Sequence, residues 1–534
     1  MTFGTLERSI NPIFHGAIVR EPLLSEFLLQ KLEKNGSISL GRQLYDIIRQ
    51  LILTGDLRAG TKLPASRVLS REIGLSRNTV LSAYEQLHSE GFVVSATGSG
   101  TFVSDTVPCL PSRQPEPSPT DAVVPPHLAL SRRGAELVRT AQASARQWGA
   151  FTPGVPDVSL FPHEVWSRLM RRRWRKPDPT LLTYSHGPGY LPLRTALAQY
   201  LRLARSVECE PDQIIVTSGI HQSLSLIASL LGESSEVAWV ENPCYWGART
   251  VLRASGLRTQ PIDVDDEGMA PSAGQMQTPP RFIFVTPSHQ YPLGTVMSLS
   301  RRRMLLEYAH RNNIWIIEDD YDSEFRFDGR PLASLQGLDS HDRVIYLGTF
   351  SKTLFPGLRM GFMVLPKVLS THFAAGLSEL YREGRLLDQA VVADFMNEGH
   401  YTAHIKRMRV LYARRQVLLR EAIVEHFGQD WPISTHEAGL HLVMHLPEGA
   451  DDVGIVLAAH SLGISIRPLS RYYAGGAGRP GLLFGYASVP DDEIKPAFQT
   501  LVAAITPTLE HVRRSRQKTP APSKLINEGA WSGA

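Results

Sequence analysis

Lys352 follows the apolar run Val344 to Leu347, is preceded by Ser351, and has Arg359 seven positions downstream. A lysine amine can form an imine with an aldehyde. The Ser351 hydroxyl and the Arg359 guanidinium could hold a phosphate on the same molecule. One lysine is weak evidence, because most lysines are solvated surface charges. Its companions narrow the chemistry. Asp319 closes the apolar run Ile314-Trp-Ile-Ile, at the end of a strand where open α/β sheets bind ligands. A carboxylate there can keep a ring nitrogen protonated and make the ring an electron sink. Tyr321 falls on the same side of the extended segment, where it can donate to a phenolate oxygen. Ser218, Gly219 and Ile220 lie at a strand-to-helix junction whose N–H groups suit a phosphate. Tyr245, in Glu241-Asn-Pro-Cys-Tyr, offers a ring to stack on an aromatic cofactor. Singly, Asp319 could be a helix cap, Tyr245 core and Gly219 a turn. Together, in this order and at strand ends, they point to a cofactor site.

Such a site needs a rigid frame. Short runs rich in β-branched residues (Ile214-Ile-Val, Val237-Ala-Trp-Val, Phe282-Ile-Phe-Val, Ile314-Trp-Ile-Ile and Val344-Ile-Tyr-Leu) alternate with helical patterns. Continuous apolar strands between amphipathic helices predict an α/β fold with a mostly parallel sheet covered on both faces. From about 395 the pattern changes to a long basic helix, His400 to Phe427, and then to a smaller α/β unit.

The front of the chain does something else. Leu44, Ile47, Ile48, Leu51 and Ile52 recur at helical spacing. Leu63-Pro64 leads into a second helix from Ser66, and Gly74-Leu-Ser76 makes a turn. A third helix opens at Ser76, a good N-cap, buries Val80, Ala83, Tyr84 and Leu87, and stops near Gly91. Its N-terminal end presents Arg77, Asn78 and Thr79, where a recognition helix meets base edges. Phe92 to Val103 reads as two strands around Gly98, Ser99, Gly100 and Thr101, a wing able to approach a phosphate or the minor groove. Basic residues 42, 49, 58, 62, 67, 71 and 77 face acidic residues 46, 56, 72, 85, 90 and 105, so DNA affinity would come from placement rather than bulk charge.

Composition bounds the rest. The 534 residues allow three or four domains, and a net charge of +4 permits nucleic-acid binding without requiring it. Cys109, Cys209 and Cys244 show neither metal spacing nor a disulfide framework; no metal site is expected. No apolar run approaches a membrane span, there is no signal segment, and a cytoplasmic protein is expected. Residues 1–37 read as an unassigned arm, 38–105 as the winged helix, 106–148 as a linker whose stretch Pro108 to His127 holds seven prolines, 149–394 as the large domain, 395–511 as a small subdomain and 512–534 as a disordered tail.

Two resemblances sharpen this. Leu63-Pro64-x-Ser66-Arg67 followed by Ser76-Arg77-Asn78-Thr79-Val80 and Ala83-Tyr84 resembles the GntR-type winged helix. The resemblance implies that Ser66, Arg67, Arg77, Thr79 and the wing contact operator DNA; Ala65 stands where serine is frequent. Residues from about 149 to 505 resemble fold type I pyridoxal-phosphate aminotransferases, and the whole chain is similar to MocR/GabR-type regulators. By that resemblance Lys352 is the Schiff-base lysine, Asp319 the partner of the pyridine nitrogen, and Tyr321 the donor to the ring oxygen. Tyr245 is the stacking ring, Arg359 a phosphate ligand, and Ser218, Gly219 and Ile220 the phosphate loop. Tyr184 resembles the tyrosine that reaches the partner subunit's phosphate in a homodimer, head-to-tail by family pattern.

Two departures separate the chain from an enzyme. Tyr291 stands where aminotransferases carry asparagine, leaving His289 or Gln290 as substitutes, and Leu483 stands where they place the arginine for the substrate carboxylate. Arg471 and Arg479 are nearby candidates for an effector anion. The expected function is a pyridoxal 5'-phosphate-dependent transcriptional regulator that senses a small amine or amino acid. The alternatives are an active aminotransferase with an appended DNA domain, and a sensor of the cofactor itself.

Overall fold

The computed structural model describes residues 21–33, 38–96, 99–105, 130–139, 149–184, 187–327, 333–382, 384–434, 438–475 and 478–518. The chain divides after Ala129 into two compact units. The proline-rich stretch and Gly98 lie outside the described residues.

In the first unit, helices α1 (Glu21–Lys31), α2 (Leu40–Leu53), α3 (Ser66–Ile73) and α4 (Arg77–Ser89) share one core with strands β1 (Lys62–Leu63), β2 (Val93–Ala96) and β3 (Gly100–Val103). The strands form an antiparallel sheet in the order β1-β3-β2. Apolar spacing sets α2, which buries Leu44, Tyr45, Ile48, Leu51 and Ile52 behind a Ser39 N-cap, with Ile47 half-buried against the same core. Gly74, at φ 70°, ends α3 in the left-handed region open to glycine. Ser76 Oγ accepts from Thr79 N at 3.1 Å and starts α4. The Tyr84 hydroxyl donates to the Pro64 carbonyl at 3.0 Å, which ties α4 to the turn before α3. The segment 1–37, where Leu23, Leu24, Phe27, Leu28 and Leu32 allow a short helix or an arm, includes the helix α1, whose Leu24 and Leu28 are buried in this same core. Its helical spacing is legible in sequence, but the groove that receives it is not.

The second unit is built on an eight-stranded sheet. Its strands are β4 (Ile214–Thr217), β5 (Val237–Asn242), β6 (Arg258–Asp265), β7 (Gly268–Met269), β8 (Phe282–Val285), β9 (Trp315–Asp320), β10 (Val344–Thr349) and β11 (Gly361–Val364). The order is β4-β11-β10-β9-β8-β5-β6-β7. Strands β6, β5, β8, β9 and β10 are mutually parallel, while β11 runs antiparallel to both β10 and β4. Because β4 and β10 are each antiparallel to β11, they point the same way. The carboxyl ends of β4, β5, β8, β9 and β10 therefore converge on one edge. The five expected strands are all present. Of the others, β6 is mostly polar and carries no continuous apolar run, and β11 overlaps the run that carries Arg359.

A second, antiparallel sheet, β12 (His441–His445), β13 (Arg467–Pro468) and β14 (Gly481–Gly485), forms the small subdomain with the helices His400–Phe427 and Asp491–Lys518. The expected boundaries shift in three places. The segment at 149–152 bonds into the small subdomain: Ser465 N donates to the Ala150 carbonyl and Gly485 N to the Phe151 carbonyl, each at 2.9 Å. The stretch expected as linker contains the helix Arg132–Arg139, which lies in the second unit. The tail expected to be disordered from 512 is helical as far as Lys518.

Candidate functional site

The converging strand ends open on a cavity of about 830 Å³, within the ~300–1,000 Å³ range that encloses small ligands. Lys352, three residues beyond β10, lines it, and its Nζ donates to the Gly154 carbonyl at 2.7 Å. Burial pushes the Lys352 amine below its ordinary pKa, opposed by Asp322 and Asp319. A neutral amine is the nucleophilic form. Asp319 lines the same cavity from the end of β9, one strand away, with Leu347 of β10 as its cross-strand partner. Burial first, and then Asp320, raise its carboxyl to about 8, while Lys352 opposes the rise.

Tyr321, Tyr245, Gly219, Ile220, Ser351 and Arg359 also line this cavity. The Tyr245 hydroxyl is 3.0 Å from His221 Nε2, and burial raises its pKa to about 12. Gly219, at φ 111°, opens the helix Ile220–Leu231, and a Cβ there would sit 4.0 Å from Arg359 Nη2. A Cβ on Gly361 would sit 3.0 Å from Gly219 Cα, so glycine is what lets the Arg359 turn approach the start of the helix at Ile220. Arg359 itself has φ 48°, uncommon for a residue with a Cβ. Arg385 bonds the Leu358 and Arg359 carbonyls and holds that turn, a role sequence reading missed.

Other expected residues lie elsewhere. Ser218 does not line the cavity; its N–H donates to Gln222 Oε1 at 2.7 Å. Tyr184 is 65% exposed and does not line it either. His289 is buried behind Tyr321, with Nδ1 3.0 Å from the Tyr321 hydroxyl and 3.1 Å from both Asp322 oxygens. His289, Asp322 and His441 bring ligand-type atoms within 4.8 Å of one another; His289 is paired with Asp322 and His441 with the Pro292 carbonyl. Gln290 donates to the Pro243 and Tyr291 carbonyls and is committed to the loop.

For the effector candidates, Arg471 lines the cavity and Arg479 does not. Arg467 does, and was missed. Leu483 of β14 is buried with Val443, Leu469 and Tyr472, and its antiparallel partner across the ladder is Arg467. Directly opposed residues share a face. A guanidinium thus stands beside the position where Leu483 lacks one. That register between distant segments leaves no mark in sequence.

The first unit presents Arg67, Arg77 and Asn78 exposed at the N-terminal ends of α3 and α4, with Ser66 and Thr79 half-buried. The Thr79 hydroxyl lies 2.8 Å from Ser76 Oγ, within the cap. In the wing, Ser99 and Gly100 are exposed, Thr101 is half-buried, and Lys62 lies over the Phe102 ring. Arg42 pairs with Asp46 and Arg49 lies over Phe92, which engages those two cations inside the domain.

Residues 157–501 match the family model "Aminotransferase class I and II", and residues 40–103 match "Bacterial regulatory proteins, gntR family". The probable rhizopine catabolism regulatory protein MocR of Rhizobium meliloti is 37% identical over 476 residues, covering 89% of this chain and 95% of its own. The pyridoxine biosynthesis transcriptional regulator PdxR of Corynebacterium glutamicum is 32% identical, covering 86% and 94%. Among solved structures, the α-aminoadipate aminotransferase LysN of Thermus thermophilus, complexed with N-(5'-phosphopyridoxyl)-L-leucine, is 26% identical. Its TM-score is 0.65, covering 72% of this chain and 100% of its own. The kynurenine aminotransferase of Pyrococcus horikoshii, also 26% identical, covers 71% and 96% with a TM-score of 0.63.

Proposed function

The chain belongs to the MocR-type transcriptional regulators, DNA-binding proteins that join a GntR-type winged helix to an aminotransferase class I and II domain, and from that we propose that its second unit binds pyridoxal 5'-phosphate and senses a small acidic amine. The observation that carries the reading is the meeting of Lys352, Asp319 and Arg359 on one cavity with Arg467 and Arg471. The residues fit the cofactor: a half-buried lysine with a depressed pKa, a strand-end carboxylate, and a glycine-lined approach between Arg359 and the helix start at Ile220. The solved LysN structure, similar in fold, is complexed with N-(5'-phosphopyridoxyl)-L-leucine.

When bound, the cofactor would supply an electrophilic aldehyde and a ring that accepts electrons. Lys352 would hold the aldehyde carbon, Asp319 the ring nitrogen, and Tyr245 the ring face. Arg359 and the Gly219 and Ile220 N–H groups would hold the phosphate. Tyr321, steered by His289, would direct its hydroxyl proton at the ring oxygen. The exposed Tyr184 fits a role in the site of a second subunit of a homodimer. An effector amine would compete with Lys352 while Arg467 and Arg471 hold its acid group. Its unequal affinity for two arrangements of the protein would change operator binding.

The test is a screen of amines against the yellow, cofactor-loaded protein, followed by DNA binding with each amine that moves the visible band. Amines that shift the band and alter operator affinity support the reading; a band that no amine moves sinks it. Turnover is a second reading, favoured by Arg467 beside Leu483, and keto-acid release at ordinary enzyme rates would establish it.

A further inference from the structure

We propose that the effector is an amine carrying at least two negative charges, gripped by a rim that includes Arg249 and Arg253. This rests on the reading that the cavity admits an amine. With Arg359 assigned to the cofactor phosphate, Arg133, Arg249, Arg253, Arg467 and Arg471 still line the cavity, and Asp319 is the one carboxylate lining it among the described residues. Asp319 faces the cofactor ring and is not available to balance the rim.

Arg249 and Arg253 are one turn apart on the helix Trp246–Ala254 and so share a face. Arg467 and Arg471 come from β13 and the short turn that follows it. Arg249 Nη2 donates to the Arg471 carbonyl at 3.4 Å and Arg253 Nε to the Thr259 hydroxyl at 2.8 Å, both uncharged acceptors. Guanidinium stays charged throughout the working pH range. Five of them around one cavity concentrate anions there. A lone carboxylate accepts one bidentate fork, which leaves Arg249 and Arg253 on their uncharged acceptors. Two carboxylates, or one phosphate, would engage both pairs. Trp246, Tyr472 and Tyr473 line the cavity beside them and offer flat contact to an intervening carbon chain.

The test titrates the cofactor-loaded full chain at low salt with matched pairs: L-glutamate against L-glutamine, and O-phospho-L-serine against L-serine. The acidic member of at least one pair should bind about tenfold more tightly, the scale of one charge-assisted hydrogen bond. R249Q/R253Q should erase that ratio and R249K/R253K should keep part of it. A glutamate preference identifies a dicarboxylate, and a phosphoserine preference a phosphate. Equal affinities within both pairs, or a ratio that R249Q/R253Q leaves unchanged, would overturn the proposal. Glutarate, which has no amine, separates the two readings. Calorimetric binding of glutarate that R249Q/R253Q removes upholds the anion rim even when no amine moves the visible band. With no amine response, glutarate binding that is absent, or that survives R249Q/R253Q, overturns the rim as well.

Discussion

The Tyr321 hydroxyl lies 3.0 Å from His289 Nδ1, and the same nitrogen faces both Asp322 oxygens at 3.1 Å. An imidazole nitrogen carries at most one proton, and a carboxylate is its stronger acceptor. The Nδ1 proton therefore points at Asp322, and the Tyr321 hydroxyl proton is left to turn into the cavity that Tyr321 lines.

Asp322→Asn removes the reason for that tautomer. His289 Nδ1 can then accept from Tyr321 and withdraw its proton from the cofactor. We expect cofactor to dissociate about tenfold more readily, the value of one hydrogen bond to a charged group. Decay of the visible band on dilution measures this, and an unchanged dissociation constant would refute the assigned direction.

Lys352→Ala should abolish the visible absorbance of the loaded protein without loss of fold. The lysine amine is buried at a cost to its charged form, so its removal should leave the cofactor-free protein at least as stable. Thermal melting beside the absorbance spectrum checks both halves.

Asp319 gives a pH dependence. Its folded pKa, about 8, lies above the unfolded value near ~3.9. Between those values the folded state binds more protons than the unfolded one, so stability falls as pH rises through the window. Asp319→Asn should remove this contribution. In cofactor-free protein the variant should gain melting temperature relative to the parent from pH 5 to pH 8. A constant difference across that range would count against it; the buried Glu241 and Glu318, at about 7, are common to both proteins and cancel.

Arg77→Ala should weaken operator binding by about 1–3 kcal/mol and relax specificity at one base pair, as for an arginine that reads a guanine. Competition against base-substituted operators measures it. Equal weakening on all sequences would make Arg77 a phosphate contact instead.

Leu28→Ala should destabilise the first unit by about 2–5 kcal/mol, the cost of truncating a leucine in a packed core. Leu28 is 0% exposed in the core it shares with α3 and α4, which carry Arg67 and Arg77. Denaturant melts monitored by DNA binding would detect it, and a change under ~0.5 kcal/mol would return residues 21–31 to the status of an arm.

The amino-acid sequence alone determined what is local or periodic. The Ser76 cap and the spacing from Val80 to Leu87 specify α4 because capping and one-sided burial act within a few residues. The apolar runs at 214, 237, 282, 314 and 344 specify strands for the same reason. Lys352, Asp319 and Gly219 were legible because their strand-end positions follow directly from those runs. Tertiary structure decided what depends on pairing between distant segments. It set Arg467 opposite Leu483, seated α1 in the winged-helix core, drew 149–152 into the small subdomain, brought Arg249 within reach of the Arg471 carbonyl, and left Arg479 off the cavity. A cross-strand register or a helix seat is selected by the shape of the partner surface, and one segment's own periodicity carries no record of that shape.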